Sequence, residues 1–95
     1  MRKIEKRMIE AVENGKDFRE SNTLVFTTQK GVFVRLYDTI IFALVDGVKY
    51  FSDGGFSTVT TSSRLRALGA EYSTNYKKNK TELQSQQFMR NLIFN

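Results

Sequence analysis

Ninety-five residues, 40% of them hydrophobic and 26% charged, suffice for one small core and are too apolar for a disordered tail. With no Cys and no His, the chain has no disulfide, no thiolate or imidazole metal ligand, and neither of the side chains most used as nucleophile and general base. The net charge of +5 is uneven: residues 1–59 hold nine basic and eight acidic side chains and residues 60–95 six and two, so the C-terminal third points toward a polyanion or an acidic surface.

Met1 to Arg7 is basic but leads into mixed charge rather than an apolar stretch, so it is not read as a secretory signal. No apolar run approaches the roughly 20 residues that span a bilayer, and the expectation is a soluble intracellular protein. Between Arg2 and Asn14, Ile4, Met8, Ala11 and Val12 fall on one stripe of a helix over residues 1–15, which Gly15 closes. Residues 14–22 are polar, with Phe18 as the one anchor, and read as a loop.

From Thr23 to Ser52 the apolar period becomes that of strands, with β-branched and aromatic residues in short runs. Four strands are predicted, over residues 23–28, 32–37, 39–45 and 48–52. Their connections, Gln29-Lys30-Gly31, a corner at Asp38, and Asp46-Gly47, are short enough to force an antiparallel meander. The run from Ile40 to Val45 is apolar on both faces, so helices must cover the sheet on both sides or a second molecule must cover one.

Residues 61–95 read as the helical C-terminal part of a single α+β domain spanning 1–95. Thr60 or Thr61 is expected to cap a helix carrying Leu65, Leu68 and Tyr72, which Gly69 bends or stops. Lys77-Lys78-Asn79-Lys80 interrupts. Thr81-Glu82-Leu83-Gln84 then fits a capping box for a last helix with Phe88, Met89, Leu92 and Ile93.

Residues 54–68 contain Gly55-Phe56-Ser57-Thr58-Val59-Thr60-Thr61-Ser62-Ser63-Arg64-Leu65-Arg66-Ala67-Leu68. This stretch resembles a motif of small bacteriophage proteins of uncharacterised function, in which Gly-Trp precedes Thr-x-Thr-Thr-x-Ser-Arg-Leu-Asn-Ala-Leu. The opening helix and Asn22-Thr23-Leu24-Val25 are also similar, so the resemblance covers residues 1–68. Phe56 stands where Trp is usual and Arg66 where Asn is usual. The resemblance implies a phage origin and an accessory role, not a particular activity, and together with the expected intracellular location it makes the host cytoplasm the expected site.

Asp38, Asp46 and Asp53 fall at predicted turns, where Asp bonds nearby amides, so no catalytic or metal site is expected and no cofactor. The Gly54-Gly55 pair lacks the spacing of a phosphate loop. Ser62, Ser63, Arg64 and Arg66 at a helix start combine hydroxyls, guanidinium groups and free amides, the parts of a phosphate or carboxylate clamp; alternatively the hydroxyls cap the helix while Arg64 lies on the sheet and pairs with an acid. Lys77, Lys78 and Lys80 follow Tyr72 and Tyr76, as in a groove tracking a nucleic-acid backbone, and Arg35 and Lys49 are candidate outer contacts. The expected function is a non-enzymatic accessory protein that binds nucleic acid through a basic C-terminal surface. The alternative is an inhibitor of a host defence or transcription protein, and the third a minor virion protein; homodimerisation is compatible with each.

Overall fold

A computed structural model of the chain describes residues 1–56, 58–72 and 81–94. Met8, Ala11 and Val12, spaced to share one side of a helix, hold α1 (Lys3–Asn14) against the sheet. The helix ends where Gly15 turns into the left-handed region at φ 60°, with its amide and that of Lys16 bonding the carbonyls of Val12 and Ala11. Glu5, rather than Ile4, is the buried residue of its first turn.

The sheet has five strands, one more than expected: β1 (Phe18–Glu20), β2 (Thr23–Thr28), β3 (Gly31–Leu36), β4 (Thr39–Val45) and β5 (Val48–Phe51). They lie in sequence order, each antiparallel to the next. All four hairpins turn through two residues: Ser21-Asn22, Gln29-Lys30, Tyr37-Asp38 and Asp46-Gly47. At the last, Asp46 and Gly47 both take positive φ, 52° and 77°, as that turn requires. The segment before Thr23 was expected to be a loop. It forms β1 because Phe18 pairs with Val25, the Asp17 carboxylate accepts the Thr27 amide at 2.9 Å, and Arg7 grips Glu20 at 2.6 Å.

Residues opposite one another in antiparallel strands project to the same side. Phe18, Val25, Val34, Phe42 and Phe51 therefore form an apolar row across all five strands, on the face that carries α1 and the second helix, α2 (Val59–Ala67). Phe26, Phe33, Ala43 and Tyr50 form a row on the other face, covered in part by the third helix, α3 (Gln86–Phe94), through Met89, Leu92 and Ile93. Helices thus account for both apolar faces of β4. A bulge on β4 pairs Val34 with Phe42 but Arg35 with Ile40, so the extra residue Ile41 joins the same core as Phe42.

The helix starts differ from those expected. Thr58, not Thr60 or Thr61, caps α2, its Oγ1 accepting the Thr61 amide at 3.1 Å. The helix stops at Ala67, so Tyr72 is not helical; it is buried beyond the helix, and its hydroxyl donates to Asp53 at 3.1 Å. Ser85 receives the Phe88 amide at 3.1 Å and begins α3, while Thr81 accepts the Glu71 amide at 2.7 Å and Leu83 bridges to Phe51 in parallel. Among the described residues, 81–85 therefore lie outside the helices, with Leu83 and Gln84 set against Phe51 at the outer edge of β5.

Candidate functional site

The capped turn of α2 brings Arg64 over the sheet, where it is 3% exposed. Its Nη1 lies 2.7 Å from Glu5 Oε2 and its Nε donates to Thr23 Oγ1 at 3.2 Å. Ser63 donates to the same Glu5 oxygen at 2.6 Å, and Ser62 donates to the Thr58 carbonyl at 2.9 Å. Three of the four residues expected to form an anion clamp therefore direct their polar groups into the protein. Burial raises the Glu5 pKa, but the hydrogen bonds from Ser63, Arg64 and the Arg2 amide, with the Arg64 charge, outweigh it and hold the carboxyl below its ordinary value. A buried ion pair of this kind ties α1 to α2 and is costly to break from one side.

Arg66 is exposed and flanks a shallow cleft with Met1 and Ala67. Lys49 is opposite Leu44 and lines a cleft with Ile9, Phe42 and Leu68 on the α1 and α2 face. Arg35 is opposite Ile40, on the α3 face. Arg35 and Lys49 thus project from opposite sides of the sheet and do not flank one surface with Arg66. Lys77, Lys78 and Lys80 lie outside the described residues.

Arg35 leads to a different concentration of binding groups. The register places Arg19, Leu24, Arg35 and Ile40 in one row across β1 to β4, so the two arginines are two strands apart, on the order of 10 Å. They line a cleft of about 490 Å³ with Ser21, Asn22, Tyr37 and Asp38. The Arg35 Nε is buried without a hydrogen-bond partner among the described residues. A buried donor of a cationic group left in that state is destabilising, and an anion in the cleft would offset it.

Tyr37 occupies the β3–β4 hairpin at φ 54°, a left-handed conformation unfavourable for a bulky side chain, and is 68% exposed. Packing of the ring does not compensate that strain. The backbone imposes it: the Tyr37 amide donates to the Asn22 carbonyl at 2.8 Å, joining two hairpin ends. Tyr37 and Asp38 also line a second cleft, of about 260 Å³, with Thr39, Thr58 and Phe56, which is 60% exposed. Gly54, at φ 63°, lets the turn carrying Phe56 approach this hairpin, since a Cβ there would stand 2.5 Å from Thr39 Cγ2.

The two clefts share Tyr37 and Asp38 at the β3–β4 hairpin, so two guanidinium groups on the α3 side of the sheet and two exposed aromatic rings on the α2 side flank the same turn. Sequence reasoning identified only Arg35 of this group. Arg19 was hidden with the unrecognised first strand, Tyr37 looked like the end of an ordinary strand, and Phe56 showed only as the aromatic position of the phage-like motif. Among the described residues no three acidic side chains gather as a metal site, and no helix is long and apolar enough to cross a membrane.

A sequence model of the family described as Kyanoviridae Gp96 protein matches residues 1–93. No curated protein and no solved structure matches the chain.

Proposed function

The chain belongs to the Kyanoviridae Gp96 protein family, a family of small phage proteins, and we propose that it is a non-enzymatic accessory protein that binds single-stranded nucleic acid in the host cytoplasm. The observation that carries this reading is the meeting of the Arg19 and Arg35 cleft with the exposed rings of Tyr37 and Phe56. Guanidinium groups neutralise phosphates, and exposed rings stack on unpaired bases, which is how single strands are held without a groove to read. The strain at Tyr37 supports a binding role, because an unfavourable backbone that presents an aromatic ring to water does nothing for the core.

This reading moves the surface expected on the C-terminal third to the β1–β3 end of the sheet. Arg64, Ser62 and Ser63 serve the structure instead, and Arg66 and Lys49 lie away from the clefts.

Fluorescence anisotropy of a labelled single-stranded oligonucleotide, titrated with the full chain at several salt concentrations, tests the proposal. Binding is expected to weaken linearly on logarithmic axes, and replacing Arg19 and Arg35 by Ala is expected to make the slope shallower by about 0.7 for each arginine that meets a phosphate. Saturable binding that ignores salt, or no binding, overturns it. Copurification of a host protein after nuclease treatment would favour the inhibitor reading, and recovery of the chain in purified particles the virion reading.

A further inference from the structure

We infer that Asp38 makes the joined clefts select an unpaired guanine over the other bases. The inference rests on the single-strand reading above and adds a base preference to it.

Asp38 is out of place in a site for phosphate alone. A carboxylate between the arginine cleft and the aromatic cleft repels the backbone that Arg19 and Arg35 attract. Turn chemistry, the ordinary reason for an aspartate in a hairpin, does not account for it. The Asp53 carboxylate accepts the Gly55 amide at 2.8 Å, and that of Asp17 accepts the Thr27 amide at 2.9 Å. Asp38, among the described residues, makes no hydrogen bond and no ion pair, and it is exposed. The carboxylate is therefore available to a ligand.

The chemistry of the bases then decides which ligand. An ionised carboxylate only accepts, through two oxygens side by side. Guanine presents two adjacent donors, N1–H and the N2 amino group, and can meet both oxygens at once. Adenine and cytosine place a ring-nitrogen acceptor beside their amino group, and thymine and uracil flank their one N–H with carbonyl oxygens, so each sets an acceptor against the carboxylate. Tyr37 and Phe56 supply stacking surface to any base, and Asp38 supplies the discrimination. The apolar-walled cleft of about 260 Å³ is smaller than the roughly 300–1,000 Å³ of sites for drug-sized ligands, in keeping with one heterocycle.

The test uses labelled oligothymidylates that differ only in a central guanine, adenine, cytosine or hypoxanthine, bound to the wild type and to Asp38→Asn. The guanine strand is expected to bind the wild type more tightly by roughly 5- to 150-fold, the range for one bidentate pair. Hypoxanthine, which lacks the N2 amino group, is expected to lose most of that gain. Asp38→Asn is expected to remove the guanine preference and to bind plain oligothymidylate as tightly as the wild type or more so, since a repulsion has gone. Because Asp38 is exposed and unpaired among the described residues, the variant keeps the fold, which circular dichroism checks. Equal binding of all four strands overturns the inference and leaves the single-strand reading in place. A guanine preference that survives in Asp38→Asn overturns the role of this residue, and failure to bind any strand overturns both proposals.

Discussion

The side chain of Gln86 bonds both backbone groups of Ile40, its Oε1 accepting the amide and its Nε2 donating to the carbonyl, each at 2.8 Å. Beyond Phe51 the chain makes one more bond to β4, from the Ser52 amide to the Ile41 carbonyl at 2.9 Å, and Gln86 takes the place of the next ladder position. Its amide group also donates to Ser52 at 2.9 Å. A helix residue thus completes the strand at the bulge.

Gln86→Ala is expected to destabilise the fold by on the order of 2–4 kcal/mol, because it leaves the Ile40 amide and carbonyl half-buried without partners. Urea denaturation measures this. Truncation before Thr81, which removes Met89 from between Phe33, Ile40 and Ala43, is expected to abolish cooperative unfolding altogether. A truncated chain with native circular dichroism would show that α3 is an appendage.

Arg64→Ala is expected to cost about 3–5 kcal/mol, the usual penalty for stripping one partner from a buried ion pair. Replacing Glu5 and Arg64 together by apolar residues of similar volume is expected to recover most of that loss. Equal destabilisation in the single and double variants would mean that burial of the arginine stem, not the charge pair, matters. A fall in nucleic-acid binding on Arg64→Ala alone would report lost structure rather than a lost phosphate contact.

The depressed pKa of Glu5 fixes the sign of a pH effect. The unfolded chain holds the proton more tightly than the folded one, so the stabilisation is fully present above the ordinary value of 4.5 and is lost as pH falls through the folded value. The melting-temperature advantage of the wild type over Glu5→Gln is therefore expected to be full at neutral pH and to shrink in acid. An advantage that grows on acidification would reverse the assignment.

Tyr37→Gly is expected to leave stability unchanged or raise it by up to about 1 kcal/mol, since relief of the left-handed strain exceeds the added freedom of the unfolded chain. The same substitution is expected to weaken single-strand binding by about 1–3 kcal/mol, the contribution of one stacked base. Thermal melts and anisotropy on one protein sample read both. Loss of stability would show that the tyrosine ring serves the fold.

Local patterns were the legible part of the chain. The apolar stripe of α1, the short β-branched and aromatic runs of β2 to β5 and the Asp46-Gly47 turn each depend on residues a few positions apart, and each is found in the structure. So is the arrest of α2 before Gly69. What periodicity could not show were pairings between distant residues. Phe18-Arg19-Glu20 carries one apolar side chain and becomes a strand only because Val25 and Arg7 receive it. Arg64 read either as part of an anion clamp or as an arginine lying on the sheet and paired with an acid, and nothing near it in sequence named Glu5, 59 residues away, as that acid. The same holds for the clefts: Arg19 and Arg35 become neighbours through the register of Leu24, and nothing adjacent to Tyr37 in sequence reveals that its ring faces water.

The run of four two-residue hairpins separates the molecule into parts that assemble on different terms. Each strand meets its neighbour after a minimal loop, so zipping the sheet involves little loop-closure entropy and can proceed from any turn. Closing the two faces is another matter, since the contacts that do so, Glu5 with Arg64 and Ile40 with Gln86, span 59 and 46 residues. During synthesis from the N-terminus, α1 is already present to shelter one face of the nascent sheet, while Phe33, Ile40 and Ala43 on the other face wait for α3, which is made after every strand. A growing chain therefore carries an open sheet face until the nine-residue α3 docks on it, and that interval is when the fold is most exposed to aggregation.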